Sequence, residues 1–167
     1  YRVDRHGGVT SALSPVSISN GIGWLGPHEA LYVDSLAHSV DVIRIDPQSH
    51  RCVDRRPLVH VAPEDGLPDG LTVDTEDAFW VAIHGAGEVR RYSPTGELLD
   101  TVHVPATGTT SCTFGGDDLA DLYITAMDTT GSDGGLYRCH VGPIGAPANQ
   151  FDPITARHRL DDLLEYR

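Results

Sequence analysis

Short runs of β-branched and aromatic residues, separated by turn residues, recur along most of the chain. The runs at 30–35, 78–83 and 121–126 are each followed by a turn and by a second run that contains an arginine. Such runs are typical of β-strands, and the turns between them predict antiparallel pairing. The pattern therefore predicts an all-β fold built from repeated antiparallel meanders.

The second run of each unit recurs at a regular spacing. It reads Tyr-Arg-Val-Asp at 1–4, Ile-Arg-Ile-Asp at 43–46, Arg-Arg-Tyr-Ser at 90–93 and Tyr-Arg-Cys-His at 137–140, so that the copies start 42, 47 and 47 residues apart. A period of about 45 residues with short strands is typical of β-propeller blades. We predict a partial β-propeller of about three four-stranded antiparallel blades plus a remnant strand pair. Because the first copy lies at residue 1, we expect the chain to begin inside a repeat.

The same alignment divides the chain into segments. We predict that residues 1–151 form the partial propeller and that the rest is a tail. The predicted segments are a remnant blade at 1–16, blades at about 17–62, 63–106 and 107–151, and a C-terminal tail at 152–167. In the tail, Leu160, Leu163 and Leu164 have helical spacing, which favours one short helix. An extension without fixed structure is the alternative.

Polar residues are expected to converge on one mouth of the central channel. In a meander the strands alternate in direction, so the start of the first strand and the end of the second lie on the same face of the ring. Asn20 and Asp69 occupy such starts, and His38, His84 and Asp128 follow such ends. Convergent polar groups in a concave mouth are typical of ligand sites.

Composition excludes several classes of function. Hydrophobic residues make up 40% of the chain, which indicates a globular protein. The net charge of −12 opposes binding to nucleic acid or to an anionic membrane. All 12 basic residues are arginine, so Schiff-base chemistry and a P-loop are excluded. The acidic balance instead favours solubility and the binding of cations.

Cysteine usage indicates a reducing compartment. Cys52, Cys112 and Cys139 are odd in number and form no Cys-x-x-Cys motif, which favours reduced thiols and a cytoplasmic location. No apolar run approaches the roughly 20 residues that span a bilayer. We expect Cys112 to be a packing residue rather than a nucleophile, and Trp24 and Trp80 to pack in the core.

Five motifs, in order and at consistent spacing, carry a family resemblance. They are Ser-Asn-Gly-Ile-Gly-Trp at 19–24, Leu-Tyr-Val-Asp-Ser at 31–35, Pro-Asp-Gly at 68–70, Thr-Ser-Cys-Thr-Phe-Gly-Gly at 110–116 and Pro-Ala-Asn-Gln-Phe at 147–151. A single Asn-Gly or Asp-Gly would indicate only a turn. Together the motifs resemble the C-terminal half of the senescence marker protein/gluconolactonase (regucalcin-like) family.

The resemblance implies a six-bladed ring and hydrolysis of a sugar lactone. It also implies one divalent metal ion in the channel mouth, whether calcium, zinc, magnesium or manganese. In the family pattern, Asn20 matches a metal ligand, and Asp69 matches a metal ligand that is also the proposed general base. His84, His38 and Asp128 are candidate pocket-lining residues.

The chain also departs from the family pattern. The third protein ligand of the family is a glutamate on its first blade, and the sugar-contacting arginine and acidic residues lie on its second and third blades. No residue here matches them. We therefore expect the site to need the missing blades or a second chain, for example in a homodimer that closes a six-blade ring. The alternative is a non-catalytic fragment that binds a metal or a sugar acid.

Overall fold

The computed structural model describes residues 1–4, 6–129, 131 and 134–148. Within these ranges the chain forms short β-strands and two 3₁₀ turns, Ser35–Ala37 and Pro63–Asp65, and no helix is long and apolar enough to cross a membrane. The strands are β1 Arg2–Val3, β2 Val9–Thr10, β3 Ser19–Trp24, β4 Glu29–Asp34, β5 Ser39–Ile45, β6 Cys52–His60, β7 Leu67–Val73, β8 Phe79–His84, β9 Glu88–Tyr92, β10 Leu98–His103, β11 Thr109–Gly115, β12 Asp121–Ala126 and β13 Gly135–His140.

The strands form four antiparallel sheets, each in chain order. A two-stranded N-terminal hairpin, β1–β2, precedes the first blade, β3–β6, the second blade, β7–β10, and the third blade, β11–β13. In the described part of the chain no sheet closes on itself. The prediction of an all-β partial propeller with a remnant strand pair is confirmed, and the recurrent arginine-containing runs coincide with β5, β9 and β13, the third strand of each blade.

The third blade differs from the expectation of four strands, because three are present among the residues that the structure describes. After β13 the chain returns to the second blade instead of continuing along the edge of its own sheet. Gly145 forms a β-bridge with Asp74, and the Thr75 N–H donates a hydrogen bond of 2.8 Å to the Ile144 carbonyl. The candidate tail helix at 152–167 lies outside the described residues.

Two apolar cores lie between the three blades, and β8 contributes to both. Because side chains alternate across a strand, Phe79, Val81 and Ile83 pack into the core shared with the first blade, and Trp80 and Ala82 pack into the core shared with the third. A strand that is buried on both faces is expected to read as a continuous apolar run. This explains why the run at 78–83 shows no alternation in sequence.

The innermost strands of the blades, β3, β7 and β11, are in direct contact. A Cβ atom built on Gly21 would lie 2.7 Å from the Asp69 carbonyl oxygen, and one built on Gly70 would overlap the Ser111 hydroxyl. These glycines lie inside β3 and β7 rather than in turns. Their role is to let neighbouring backbones approach closely.

The two tryptophans differ in burial. Trp80 is fully buried, as expected, whereas Trp24 is 42% exposed. The prediction that Trp24 packs in the core was wrong, because the face of the first blade that carries Trp24 points away from both inter-blade cores. A largely apolar cavity of about 430 Å³ separates this face from the N-terminal residues. Residues that line the cavity include Leu13, Pro15, Ile22, Trp24 and Tyr32.

Candidate metal site

The candidate ligands lie in β-bulges of two adjacent inner strands. The pairing register shifts at 19–22 in β3 and at 68–71 in β7, and a similar shift occurs in β11. A bulge interrupts the ladder and re-aims a side chain, and bulges are common beside functional sites. Asn20 and Asp69 lie within these two irregular segments, which gives both side chains an orientation that regular strands would not provide.

The structure brings Asn20 and Asp69 together. The backbones that carry them approach closely, since a Cβ atom on Gly21 would lie 2.7 Å from the Asp69 carbonyl oxygen. The Asn20 amide lowers the pKa of the Asp69 carboxyl, and its Nδ2 donates a hydrogen bond of 3.3 Å to Ser35 Oγ. Ser35 follows β4 directly and is buried. The Asn20 side chain is thus held by the end of β4 in the first blade, next to the bulge of the second.

Burial is the main influence on the Asp69 carboxyl and raises its pKa above the usual value for aspartate. The hydrogen bond from Asn20, the charge of His84 and the Gly70 N–H all lower the pKa, but they do not compensate fully. A half-buried carboxylate with a raised pKa accepts a proton more readily than one on the surface. A bound cation would act in the opposite direction, because positive charge favours the ionised form.

His84 lies beside this pair, at the end of β8. It is the last residue of that strand and pairs with Leu67, two residues before Asp69 in the adjacent strand. The charge of His84 lowers the pKa of the Asp69 carboxyl. Among the described residues its Nδ1 atom is buried and has no hydrogen-bond partner. The structure therefore places His84 within electrostatic range of the candidate ligands.

His38 and Asp128 are placed differently. His38 follows the 3₁₀ turn after β4 in the left-handed region, with φ at 54°, and its ring centroid lies 6.3 Å from that of His60. Asp128 is exposed and accepts a hydrogen bond from the Gly131 N–H. Neither residue is among the groups that shift the pKa of Asp69. Their predicted pocket-lining role gains no support from these contacts.

The third blade offers a different residue at the corresponding bulge. Thr110 occupies this position in β11, and its hydroxyl contacts the Thr125 hydroxyl at 2.8 Å and donates to the Thr125 carbonyl at 3.1 Å. The hydroxyl is therefore engaged within its own sheet. The candidate oxygen donors therefore lie in the bulges of the first and second blades.

Two serines near the site belong to the motifs at 31–35 and 110–116 but were not among the predicted ligands or pocket-lining residues. Ser35 holds the amide of Asn20, and Ser111 packs its hydroxyl against Gly70. The neighbouring Asp34 has a structural role, because its carboxylate accepts hydrogen bonds from the backbone N–H groups of Ser17 and Ile18. Ser111 follows the bulge position of the third blade, Thr110, and the hydrogen bond between Asn20 and Ser35 depends on the register of the β3–β4 pair.

The donor set suits a divalent cation in its chemistry. Carboxylate and amide oxygens are ligands for calcium and magnesium, and imidazole nitrogen is a common ligand for zinc. The Asn20 amide donates its nitrogen to Ser35 Oγ, and its oxygen is the atom that would bind a cation. Among the described residues no group of three or more His, Cys, Asp and Glu side chains is placed to hold a metal. The chain alone thus offers one carboxylate, one amide and one adjacent imidazole.

Comparison with known proteins places the chain in a family. Residues 1–128 match the family described as the SMP-30/Gluconolactonase/LRE-like region. Regucalcin from Oryctolagus cuniculus is 41% identical over 135 residues, which cover 74% of this chain and 45% of the relative. Human regucalcin is 37% identical over 155 residues, which cover 85% of this chain and 52% of the relative.

Solved structures show the same fold. A luciferin-regenerating enzyme superimposes with a TM-score of 0.77 at 31% identity, over 86% of this chain and 52% of that one. A calcium-binding regucalcin from Agrobacterium tumefaciens superimposes with a TM-score of 0.75 at 24% identity, over 84% of this chain and 51% of that one. The chain spans about half the length of the relatives that it matches. It belongs to the SMP-30/gluconolactonase/LRE-like family.

Proposed function

We propose that this chain carries part of the metal site of a sugar-lactone hydrolase, with Asn20 and Asp69 as ligands and Asp69 as the general base. The observation that supports this proposal most strongly is the close approach of the two inner-strand bulges that carry Asn20 and Asp69, where a Cβ atom on Gly21 would lie 2.7 Å from the Asp69 carbonyl oxygen. Membership of a family that includes gluconolactonases supports the substrate class. The cytoplasmic location remains a prediction.

The chemistry follows from the two side chains. A divalent cation, when bound, would polarise the lactone carbonyl and lower the pKa of a bound water. Asp69 would take one proton from the attacking water, whose oxygen then bonds to the carbonyl carbon. The ring carbon–oxygen bond breaks, and the ring oxygen takes up one proton to give the open-chain hydroxy acid. Asn20 would orient the Asp69 carboxylate and supply a second oxygen ligand.

Hydrolysis of gluconolactone, followed by pH-stat titration with and without added zinc or calcium, tests the proposal. Removing a general base typically costs about 10²–10⁴-fold in rate, so Asp69→Ala should abolish any metal-dependent hydrolysis above the spontaneous rate. Asp54→Ala removes an exposed carboxylate in β6 and serves as the matched control. Equal metal-dependent rates in wild type and Asp69→Ala would refute the assignment.

A non-catalytic binding fragment is the second candidate. The observation that favours it is the small donor set, since the described residues contain no cluster of three or more His, Cys, Asp and Glu side chains arranged for a metal. This function predicts that calcium or zinc binds in calorimetric titration and that Asp69→Ala weakens binding, while gluconolactone is hydrolysed no faster than in buffer.

We also propose that a second copy of the chain completes the ring and brings a second Asn20–Asp69 pair to the channel. The first blade exposes Ile22 and Trp24 on its outer face, and Leu136 of the third blade is 68% exposed. Exposed apolar surface on this scale is typical of an interaction face, and a closed twofold dimer would cover both ends of the arc. Sedimentation velocity should therefore give a dimer, and a clean monomer would contradict this proposal.

A further inference from the structure

The motif Leu-Tyr-Val-Asp-Ser at 31–35 ends in two polar residues that the proposed chemistry does not use. Both are buried, since Asp34 is 3% exposed and Ser35 is 4% exposed. Burying a polar side chain is unfavourable unless it is hydrogen-bonded, so the partners of this pair indicate what it does. Both residues bond to the segment 17–20, which carries Asn20 into the bulge of β3.

The backbone of this segment is held by three hydrogen bonds. The two carboxylate oxygens of Asp34 accept hydrogen bonds of 3.0 Å from the N–H groups of Ser17 and Ile18. The N–H of Ser35 donates a hydrogen bond of 3.0 Å to the Ile18 carbonyl. The end of β4 therefore fixes the path of the chain immediately before Asn20.

The hydroxyl of Ser35 holds the side chain of Asn20. Asn20 Nδ2 donates a hydrogen bond of 3.3 Å to Ser35 Oγ. Ser35 is itself held in place, because it begins the 3₁₀ turn and its carbonyl accepts the His38 N–H at 3.0 Å. An amide group carries its donor and its acceptor on opposite sides. Binding the nitrogen at Ser35 therefore also sets the direction of the amide oxygen.

The other two blades lack this arrangement at the matching positions. Asp34 is the register partner of Ser19, the residue before Asn20. The corresponding partner is Ile83 in the second blade and Ala126 in the third. Apolar residues thus satisfy the architecture of a blade at this position, and the buried polar pair of the first blade calls for a role beyond folding.

We propose that Ser35 is a positioning residue for Asn20, which binds the amide nitrogen so that the amide oxygen is presented to a cation. Asp34 supports this role by fixing the backbone that precedes Asn20. The inference rests on the proposed metal site and adds to it a residue outside the ligand set. Residues that hold metal ligands in place typically affect metal affinity by about 10–100-fold. Because Ser35 acts on the orientation of a ligand rather than on its chemical type, its loss should affect different cations alike.

The first test needs neither metal nor substrate. In ¹H–¹⁵N spectra of the metal-free protein, Asn20→Ala identifies the side-chain amide resonances of Asn20 by their loss. In Ser35→Ala these resonances should shift and exchange faster with water. Ser39→Ala removes another buried hydroxyl, at the first residue of β5, and should leave them unchanged. Backbone resonances of β4 and β5 in the same spectra report whether each variant is folded, and Asn20 resonances unchanged in Ser35→Ala would overturn the proposal.

The second test is calorimetric titration of the full chain with zinc and, separately, with calcium. Ser35→Ala should weaken the binding of both ions by about tenfold or more, and Ser39→Ala should weaken neither. Affinities that Ser35→Ala leaves unchanged, while Asp69→Asn lowers them, would overturn the role of Ser35 alone. Affinities that Asp69→Asn leaves unchanged would overturn the proposed metal site as well.

Discussion

The carboxylate of Asp74 accepts a hydrogen bond of 3.1 Å from the indole N–H of Trp80, six residues later in the same hairpin. The same carboxylate accepts hydrogen bonds from the N–H groups of Glu76 and Ala78 and forms an ion pair with Arg91 at 2.8 Å. Asp74 is 1% exposed. Asp74 therefore fixes the turn between β7 and β8. It also fixes the position of Trp80, the largest side chain in the core shared by the second and third blades.

Replacing Asp74 by alanine should therefore destabilise the fold strongly. Removing one partner of a buried ion pair leaves the other unpaired and typically costs about 3–5 kcal/mol. Urea denaturation followed by tryptophan fluorescence measures the change in the free energy of unfolding.

Glu76 offers a matched control because it pairs with the same arginine, Arg91, at 2.6 Å, while its side chain is 67% exposed. Exposed pairs contribute about 0–1 kcal/mol, so Glu76→Ala should have little effect. Equal losses in Asp74→Ala and Glu76→Ala would show that the buried network does not determine stability here.

Gly70→Ala should destabilise the contact between the second and third blades. The added methyl group would overlap the Ser111 hydroxyl and lie 2.6 Å from the Ser111 Cβ. Overpacking of this kind typically costs about 1–3 kcal/mol. Gly26→Ala is the control, since a Cβ at Gly26 would meet no atom within 4 Å. The double variant Gly70→Ala, Ser111→Gly should recover part of the loss, and no recovery would argue against this contact.

Asp34 should make the stability of the protein sensitive to acid. Burial alone would raise its pKa, but hydrogen bonds from the Ser17 and Ile18 N–H groups and the pairing with Arg55 outweigh burial and lower it. Because the folded pKa lies below the unfolded one, ionised Asp34 stabilises the fold above the usual aspartate range. This stability is lost as the pH falls through the folded pKa.

Unfolding free energies of wild type and Asp34→Asn, measured from pH 7 down to the onset of acid unfolding, test this expectation. The variant should lose about 1–3 kcal/mol at pH 7, where its backbone donors lack a carboxylate, and its stability should depend less on pH. Asp54→Asn, at an exposed position of β6, should follow the wild type. Parallel curves for all three proteins would contradict the role of Asp34.

Ionised Asp69 should affect the stability of the fold in the opposite direction from ionised Asp34. Its pKa is raised mainly by burial, so ionised Asp69 opposes folding at neutral pH in the absence of a cation. Thermal unfolding should accordingly give a higher midpoint for Asp69→Asn than for wild type in chelator, and excess zinc should remove or reverse the difference. A lower midpoint for Asp69→Asn in chelator would show that burial of the ionised carboxylate does not destabilise the fold.

Cys112 should be chemically inert in the folded protein. Burial raises the pKa of its thiol from 9.0 to about 12, so at pH 8 its thiolate fraction falls about a thousandfold relative to the unfolded chain. Iodoacetamide labelling followed by peptide mass spectrometry should modify Cys52, which is partly exposed, well before Cys112. Rapid labelling of native Cys112 would contradict its assignment as a packing residue.

Sequence patterns predicted the fold well because blade strands have local signatures. The apolar run of β8 and the recurrent arginine-containing strands reflect how deeply each strand is buried. This burial leaves a mark in the sequence whichever element packs against the strand. The exposure of Trp24 and the return of Gly145 to the second blade were not predictable in this way. Both depend on which surfaces meet in three dimensions, and a strand pattern does not record that.

The candidate site was predictable in outline. Alternating strand directions implied that Asn20 and Asp69 would lie at one mouth, and the structure brings their strands together, with a Cβ atom on Gly21 only 2.7 Å from the Asp69 carbonyl oxygen. Their metal and catalytic roles remain predictions. The bulges that carry them, the hydrogen bond from Asn20 to Ser35 and the unpaired nitrogen of His84 were not predictable, since each depends on the pairing register between neighbouring strands, which the residue pattern does not record.

The close approach at Gly21 has a geometric consequence for the whole molecule. A Cβ atom at this position would lie 2.7 Å from both the Asp69 carbonyl oxygen and the Leu71 nitrogen, so the backbone of β7 limits how closely the first two units can approach here. Any larger residue would push the two strands apart and flatten the curvature of the arc. The width of the channel between the amide and the carboxylate therefore depends on a position that has no room for a side chain.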